Sequence, residues 1–181
     1  MTNKDLEKLK YPIGKFECPN NISKQHIESW ISTLEQFPIR FEALVKHLSK
    51  EQLNTPYRPD GWTIRQVVHH VSDSHHHSYN RFKWALTEDK PLIKAYDEKL
   101  WAELSDSKSA PIQMSIEHLK AVHYKLVNLL KAMSEEDFNK CFIHPETNRE
   151  VFLNYNTGHY AWHSSHHYAH VENIMKQKGW L

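Results

Sequence analysis

Apolar residues return at steps of three and four along four stretches of this 181-residue chain, with polar residues between them. That period is the signature of helices burying one face. The first stretch covers residues 23–48 and carries Ile27, Trp30, Ile31, Leu34, Phe41, Leu44 and Val45. Pro38 falls inside it and predicts a kink, because proline has no N–H for the helical ladder. The second covers residues 64–86, where Thr63 and Gln66 have the spacing of a capping box. The third covers residues 112–133, with Ile116, Leu119, Val122, His123 and Leu126 on one side, and Ser134 then caps the short turn "SEEDF". The fourth runs over residues 154–179 and stops at Gly179, a C′ glycine.

Prolines at 12, 19, 56, 59, 91, 111 and 145 fall between these stretches. Only four glycines occur, so few positions need a positive φ. About 25 residues, including "YDEKLWAELSDS" and room for one short helix, separate the second stretch from the third, a crossover too long to force antiparallel neighbours. No strand alternation or internal repeat interrupts the pattern. The predicted fold is all-α, a four-helix bundle in one domain over residues 1–181.

Composition narrows the function classes. Lys plus Arg number 23 against 22 Asp plus Glu, scattered along the chain, so no footprint for nucleic acid or an anionic membrane emerges. Cys18 and Cys141 form no CxxC pair, which fits a reducing cytoplasm. The charged N-terminus lacks the apolar segment of an export signal, and no apolar run approaches the roughly 20 residues that span a bilayer.

Histidine changes the picture. Fifteen are present, concentrated in "VHHVSDSHHH" at 68–77 and "WHSSHH" at 162–167. On a helical wheel His163, His167 and His170 fall at about 0°, 40° and −20°, with His159 and His166 beside them. Burying so many imidazoles without partners costs several kcal/mol in total. A metal ion resolves this, because each ring gives one nitrogen to the ion and the other to a supporting acceptor. His163 and His167 form H-x-x-x-H, one turn apart on one face. Ser164 stands where a zincin would carry its catalytic Glu, and no Glu-x-x-His of a di-iron bundle occurs. A third ligand must come from elsewhere, and the second stretch is the dense source: His70 lies at the edge of its apolar stripe, with His77 as the alternative. His75, His76 and His77 point in three directions, so the run is mostly solvated or supporting.

The segments "TPYRPDGWTIRQVVHHVSDSH", "YDEKLWAEL" and "YAWHSSHHYAHV", in this order, resemble the DinB/YfiT-like superfamily, and within it the YfiT-type metal-dependent hydrolases regarded as bacillithiol transferases. The resemblance spans nearly the whole chain. It implies an up-down-down-up bundle, a homodimer and one divalent ion per subunit; a set of three neutral histidines suits zinc first and nickel second. The ion is held by the histidine ending "VHH" and the two of W-H-x-x-x-H. Here these are His70, His163 and His167.

Three neutral histidines leave a position open, which suits catalysis better than structure. The first reading is a thiol S-transferase, in which a small bacillithiol-like thiol is activated at the ion and attacks an electrophile. The second is hydrolysis of an amide or ester by metal-bound hydroxide, with Asp73 as base or as the acceptor orienting a histidine. The third is a metal-binding protein without catalysis. Arg58, Arg65 and Arg81 are candidates for pairing with substrate carboxylates. Trp62, Tyr96, Trp101, Tyr160 and Trp162 read as packing aromatics.

Overall fold

The computed structural model describes residues 2–181. Its elements are α1 (Asn3–Lys10), α2 (Lys24–Val45), α3 (Lys50–Leu53), α4 (Ile64–Thr87), α5 (Glu98–Ala102), α6 (Ser105–Ser109), α7 (Ile112–Ala132), α8 (Glu135–Phe138), β1 (Cys141–His144), β2 (Arg149–Phe152) and α9 (Leu153–Gln177). The four predicted helices are α2, α4, α7 and α9, and the starts of α2, α4 and the short α8 follow from local chemistry. Ser23, Thr63 and Ser134 each accept the backbone N–H three residues on, and the residue at that third position reaches back to the cap. Gly179 takes φ of +66° just past α9, as a C′ residue should.

Contacts along the helices fix their directions. Trp30 packs at Gly158 and Arg40 lies 4.8 Å over the ring of Tyr168, so α2 and α9 run parallel. His69 meets Ser115 at 2.7 Å and Lys125 sits 5.7 Å over Tyr79, so α4 and α7 run parallel too. Ser78 meets Asn156 while His70 meets His167, which makes α4 and α9 antiparallel. Lys120 bonds Glu42 and Lys131 bonds Glu35, which makes α2 and α7 antiparallel. The four-helix bundle is therefore up-down-down-up, with α2 and α4 on one diagonal and α7 and α9 on the other. Gly158 permits the α2–α9 approach, since a Cβ there would lie 2.8 Å from the Trp30 ring.

Two apolar clusters fill the bundle. One gathers Phe37, Phe41, Val67, Val71, Leu119 and Val171. The other gathers Leu34, Phe82, Leu126, Phe142, Leu153 and Tyr160. On α4, α7 and α9 the stretch between the two clusters carries His75, His123, and the pair His163 and His167. A polar layer thus lies between two dry ones, and the site is built there.

Three local features depart from the sequence reading. The crossover holds two short helices, α5 and α6, and Gln66 Nε2 donates to the Ala102 carbonyl at 2.8 Å to hold it on α4. Residues 141–152 form an antiparallel hairpin, with Cys141 opposite Phe152 and His144 opposite Arg149. Asn148 turns it at φ of +51°, a conformation asparagine tolerates. The N-terminus forms α1, started by a capping box between Thr2 and Asp5. Helix α2 continues through Pro38. Among the described residues no helix is long and apolar enough to cross a membrane.

Candidate metal centre

His70 sits on α4 and His163 and His167 on α9, and the antiparallel packing of these helices brings the three together. The ring centroids of His70 lie 5.5 Å from His163 and 4.9 Å from His167, and those of His163 and His167 lie 4.4 Å apart. One ring nitrogen from each lies within 4.8 Å of the others, close enough for one ion to draw them together. Trp62 packs on His70 with centroids 4.6 Å apart.

The donor set suits a cation. Burial, and then the neighbouring histidines, hold His163 and His167 well below the ordinary imidazole range, and burial lowers His70 to about 4. No carboxylate contributes to these shifts. The rings are neutral at pH 7, with lone pairs available to a divalent ion.

A second group, His166, His167 and His170, also brings its nitrogens within 4.8 Å and shares His167 with the first. All three of its members come from α9, and two are sequence neighbours whose side chains leave the helix about 100° apart. His170 is engaged elsewhere: its Nε2–H donates to the Lys10 carbonyl at the end of α1, at 3.1 Å, and its Nδ1 lies 3.4 Å from His167 Nδ1. His166 stacks on Trp162 at 4.5 Å, and its buried Nδ1 has no hydrogen-bond partner among the described residues.

The remaining histidines divide cleanly. His75, expected in a run that is mostly solvated or supporting, is fully buried, and its Nε2 lies 3.1 Å from His163 Nδ1. His75 Nδ1 lies 2.8 Å from His123 Nε2, and His123 Nδ1–H donates to the Leu34 carbonyl at 2.6 Å. His76 pairs with His118, which reaches Ser72. His77 stacks on Tyr96 and packs by Trp101 under the crossover. His69 is held by Ser115 and the Ala110 carbonyl.

Asp73 lies one turn beyond His70 on α4 and is half-buried. Burial, and then Asp106, push its carboxyl up to about 6. The hydrogen bonds that orient the histidines among the described residues end on carbonyls, serines and other histidines, not on Asp73. Arg65 is structural, bonded to Asn54 and the Ala110 carbonyl. Arg58 folds onto Tyr57. Arg81 reaches Tyr160 Oη at 3.4 Å, an oxygen that Ser74 also approaches at 3.4 Å. Burial pushes both cysteine thiols up, the wrong direction for a protein nucleophile.

The sequence reading missed the supporting role of His123 and the backbone of Leu34. The available signal was Pro38, which leaves the carbonyl four residues earlier without its helical donor.

The chain is similar to known proteins over nearly its whole length. The chain is 44% identical over 172 residues to "Putative metal-dependent hydrolase YfiT" of Bacillus subtilis, covering 95% of this chain and 97% of that one. A protein of Bacillus pumilus with the same hydrolase name is 45% identical over 175 residues, covering 97% and 99%. The solved structure of YfiT from Bacillus subtilis, described as a probable metal-dependent hydrolase with an unusual four-helix bundle topology, superposes with a TM-score of 0.94 at 43% identity. That match covers 96% of this chain and 99% of the other. Residues 33–171, which include all three converging histidines, match the DinB superfamily, and the chain belongs to that family.

Proposed function

We propose that this protein is a metal-dependent enzyme that holds one divalent ion on His70, His163 and His167 and transfers a small bacillithiol-like thiol to an electrophile. The observation that carries the reading is the donor set: three neutral imidazoles, with no carboxylate and no cysteine in the group. A divalent ion bound there lowers the pKa of a thiol or water that reaches it. Burial raises both cysteine thiols of the chain, so the attacking sulfur comes from outside. It gives up its proton to water and bonds to the electrophilic carbon, whose leaving group departs with the electron pair and is protonated by water. Tyr160, one turn before His163, is held by its hydroxyl oxygen, which accepts from Ser74 and Arg81 at 3.4 Å each. Zinc suits the set best and nickel is the alternative. The protein works as a homodimer, and light scattering should return the mass of two chains.

Hydrolysis is the second reading, favoured by the names of the relatives and by the raised carboxyl of Asp73 as a base. One experiment separates the two. Zinc-loaded protein is assayed with several low-molecular-weight thiols and a generic electrophile, beside ester and amide substrates. Thiol conjugation is expected. Failure with every thiol, together with thiol-inhibited cleavage of an ester or amide, overturns the transfer reading. The apolar clusters hold the bundle without the ion, so chelation should leave the helical circular dichroism largely intact. Its collapse would favour a purely structural site.

A further inference from the structure

Pro38 lies inside α2, and the residue four positions before it is Leu34. In an uninterrupted helix the N–H of residue 38 donates to the carbonyl of residue 34, and proline has no N–H to give. Leu34 is fully buried, so water does not take the vacant place. His123, crossing from α7, does: its Nδ1–H donates to the Leu34 oxygen at 2.6 Å.

Direction then propagates by elimination. A carbonyl only accepts, so the proton of His123 is on Nδ1. His123 is 2% exposed and its ring contacts include no carboxylate, so it is neutral and its Nε2 is an acceptor. The nitrogen 2.8 Å away, His75 Nδ1, must carry the proton between them. His75 is fully buried and neutral by the same argument, so its Nε2 is an acceptor as well. The proton of the 3.1 Å contact therefore sits on His163 Nδ1. One nitrogen of His163 keeps a lone pair, and it is Nε2.

The geometry points to His123 and His75 as positioning residues that fix the tautomer of His163, with the carbonyl freed by Pro38 as the anchor, so that Nε2 of His163 is presented to the ion. This rests on the proposed metal site and adds residues that do not touch the ion. It accounts for two buried histidines and one mid-helix proline together. Partners of this kind typically support metal affinity by about 10–100-fold.

The test uses full-length protein with zinc as the probe. Long-range proton–nitrogen NMR of the ¹⁵N-labelled, zinc-loaded wild type should show His123 and His75 neutral with the proton on Nδ1, and His163 bound through Nε2. A proton on Nε2 of His75 or His123, or binding of His163 through Nδ1, overturns the relay. His123→Leu should weaken zinc about 10–100-fold in a chelator competition. That substitution also strands the Leu34 carbonyl, so the double variant Pro38→Ala/His123→Leu is measured beside it, where the N–H of residue 38 satisfies the carbonyl. Thermal stability raised above that of His123→Leu, with zinc affinity still lowered, supports positioning. Recovery of both to wild-type values shows that His123 serves packing alone and overturns the proposal. If the wild type binds no stoichiometric zinc, the metal reading falls and the positioning role with it. Full wild-type zinc binding with the wrong tautomers removes the relay and leaves the site standing.

Discussion

The Leu34 carbonyl and the His123 ring, 2.6 Å apart across the bundle, link a proline in one helix to a buried histidine in another. The bond satisfies two groups that would otherwise be orphaned where water does not reach. Removing the ring leaves both the carbonyl and His75 Nδ1–H without partners. His123→Leu should therefore lower stability by about 2–6 kcal/mol, from roughly 1–3 kcal/mol for each of the two stranded groups. Urea unfolding of the metal-free protein measures it. A loss below about 1 kcal/mol would mean that the interior relaxes around the gap.

Buried histidines make stability fall with acid. Burial holds both His123 and His159 at about 4, below the ordinary value of 6.5. Between those values the unfolded chain takes up protons that the folded chain refuses, so their contribution is present above pH 6.5 and is lost as pH falls toward 4. At about 1.4 kcal/mol for each pKa unit, the pair alone is worth several kcal/mol, a large share of a typical 5–15 kcal/mol total. The melting temperature of metal-free protein should drop steeply between pH 6.5 and 4. A flat profile would show that water reaches these rings.

Asp73 has the opposite sign. Its carboxyl is raised from 3.8 to about 6, so its ionisation opposes folding, and this penalty grows as pH rises from about 4 through 6. Asp73→Asn should stabilise the protein by about 1–3 kcal/mol at pH 7 and by much less at pH 4. The same variant informs on chemistry. Thiol transfer should survive it, whereas hydrolysis with Asp73 as base should fall by about 10²–10⁴-fold with zinc still bound.

Much of the bundle was legible because a period of three and four needs no tertiary information. The apolar stripe of α7 already placed His123 on the buried side, beside Val122 and Leu126. Likewise the spacing of His163 and His167 put two rings on one face of α9, and the structure brings His70 to them. The relay was not legible, because the sequence of α7 does not contain the carbonyl that His123 meets. Pro38 read as a bend, and its other effect appears only when α7 lies against α2. The hairpin escaped for a different reason. Its strands have four residues each, too few for alternation to show in "CFIHPETNRE", and it is held by Ile93 and Pro91 of the crossover, which bond Ile143.

The central claim, that the ion sits on His70, His163 and His167 and not on the neighbouring group that shares His167, is tested most directly by zinc stoichiometry in two single variants. His163 belongs only to the first group and His166 only to the second. Elemental analysis after zinc loading and buffer exchange should find about one ion per chain in His166→Ala and close to none in His163→Ala. Full zinc in His163→Ala, with loss in His166→Ala, would contradict the account and move the centre to His166, His167 and His170.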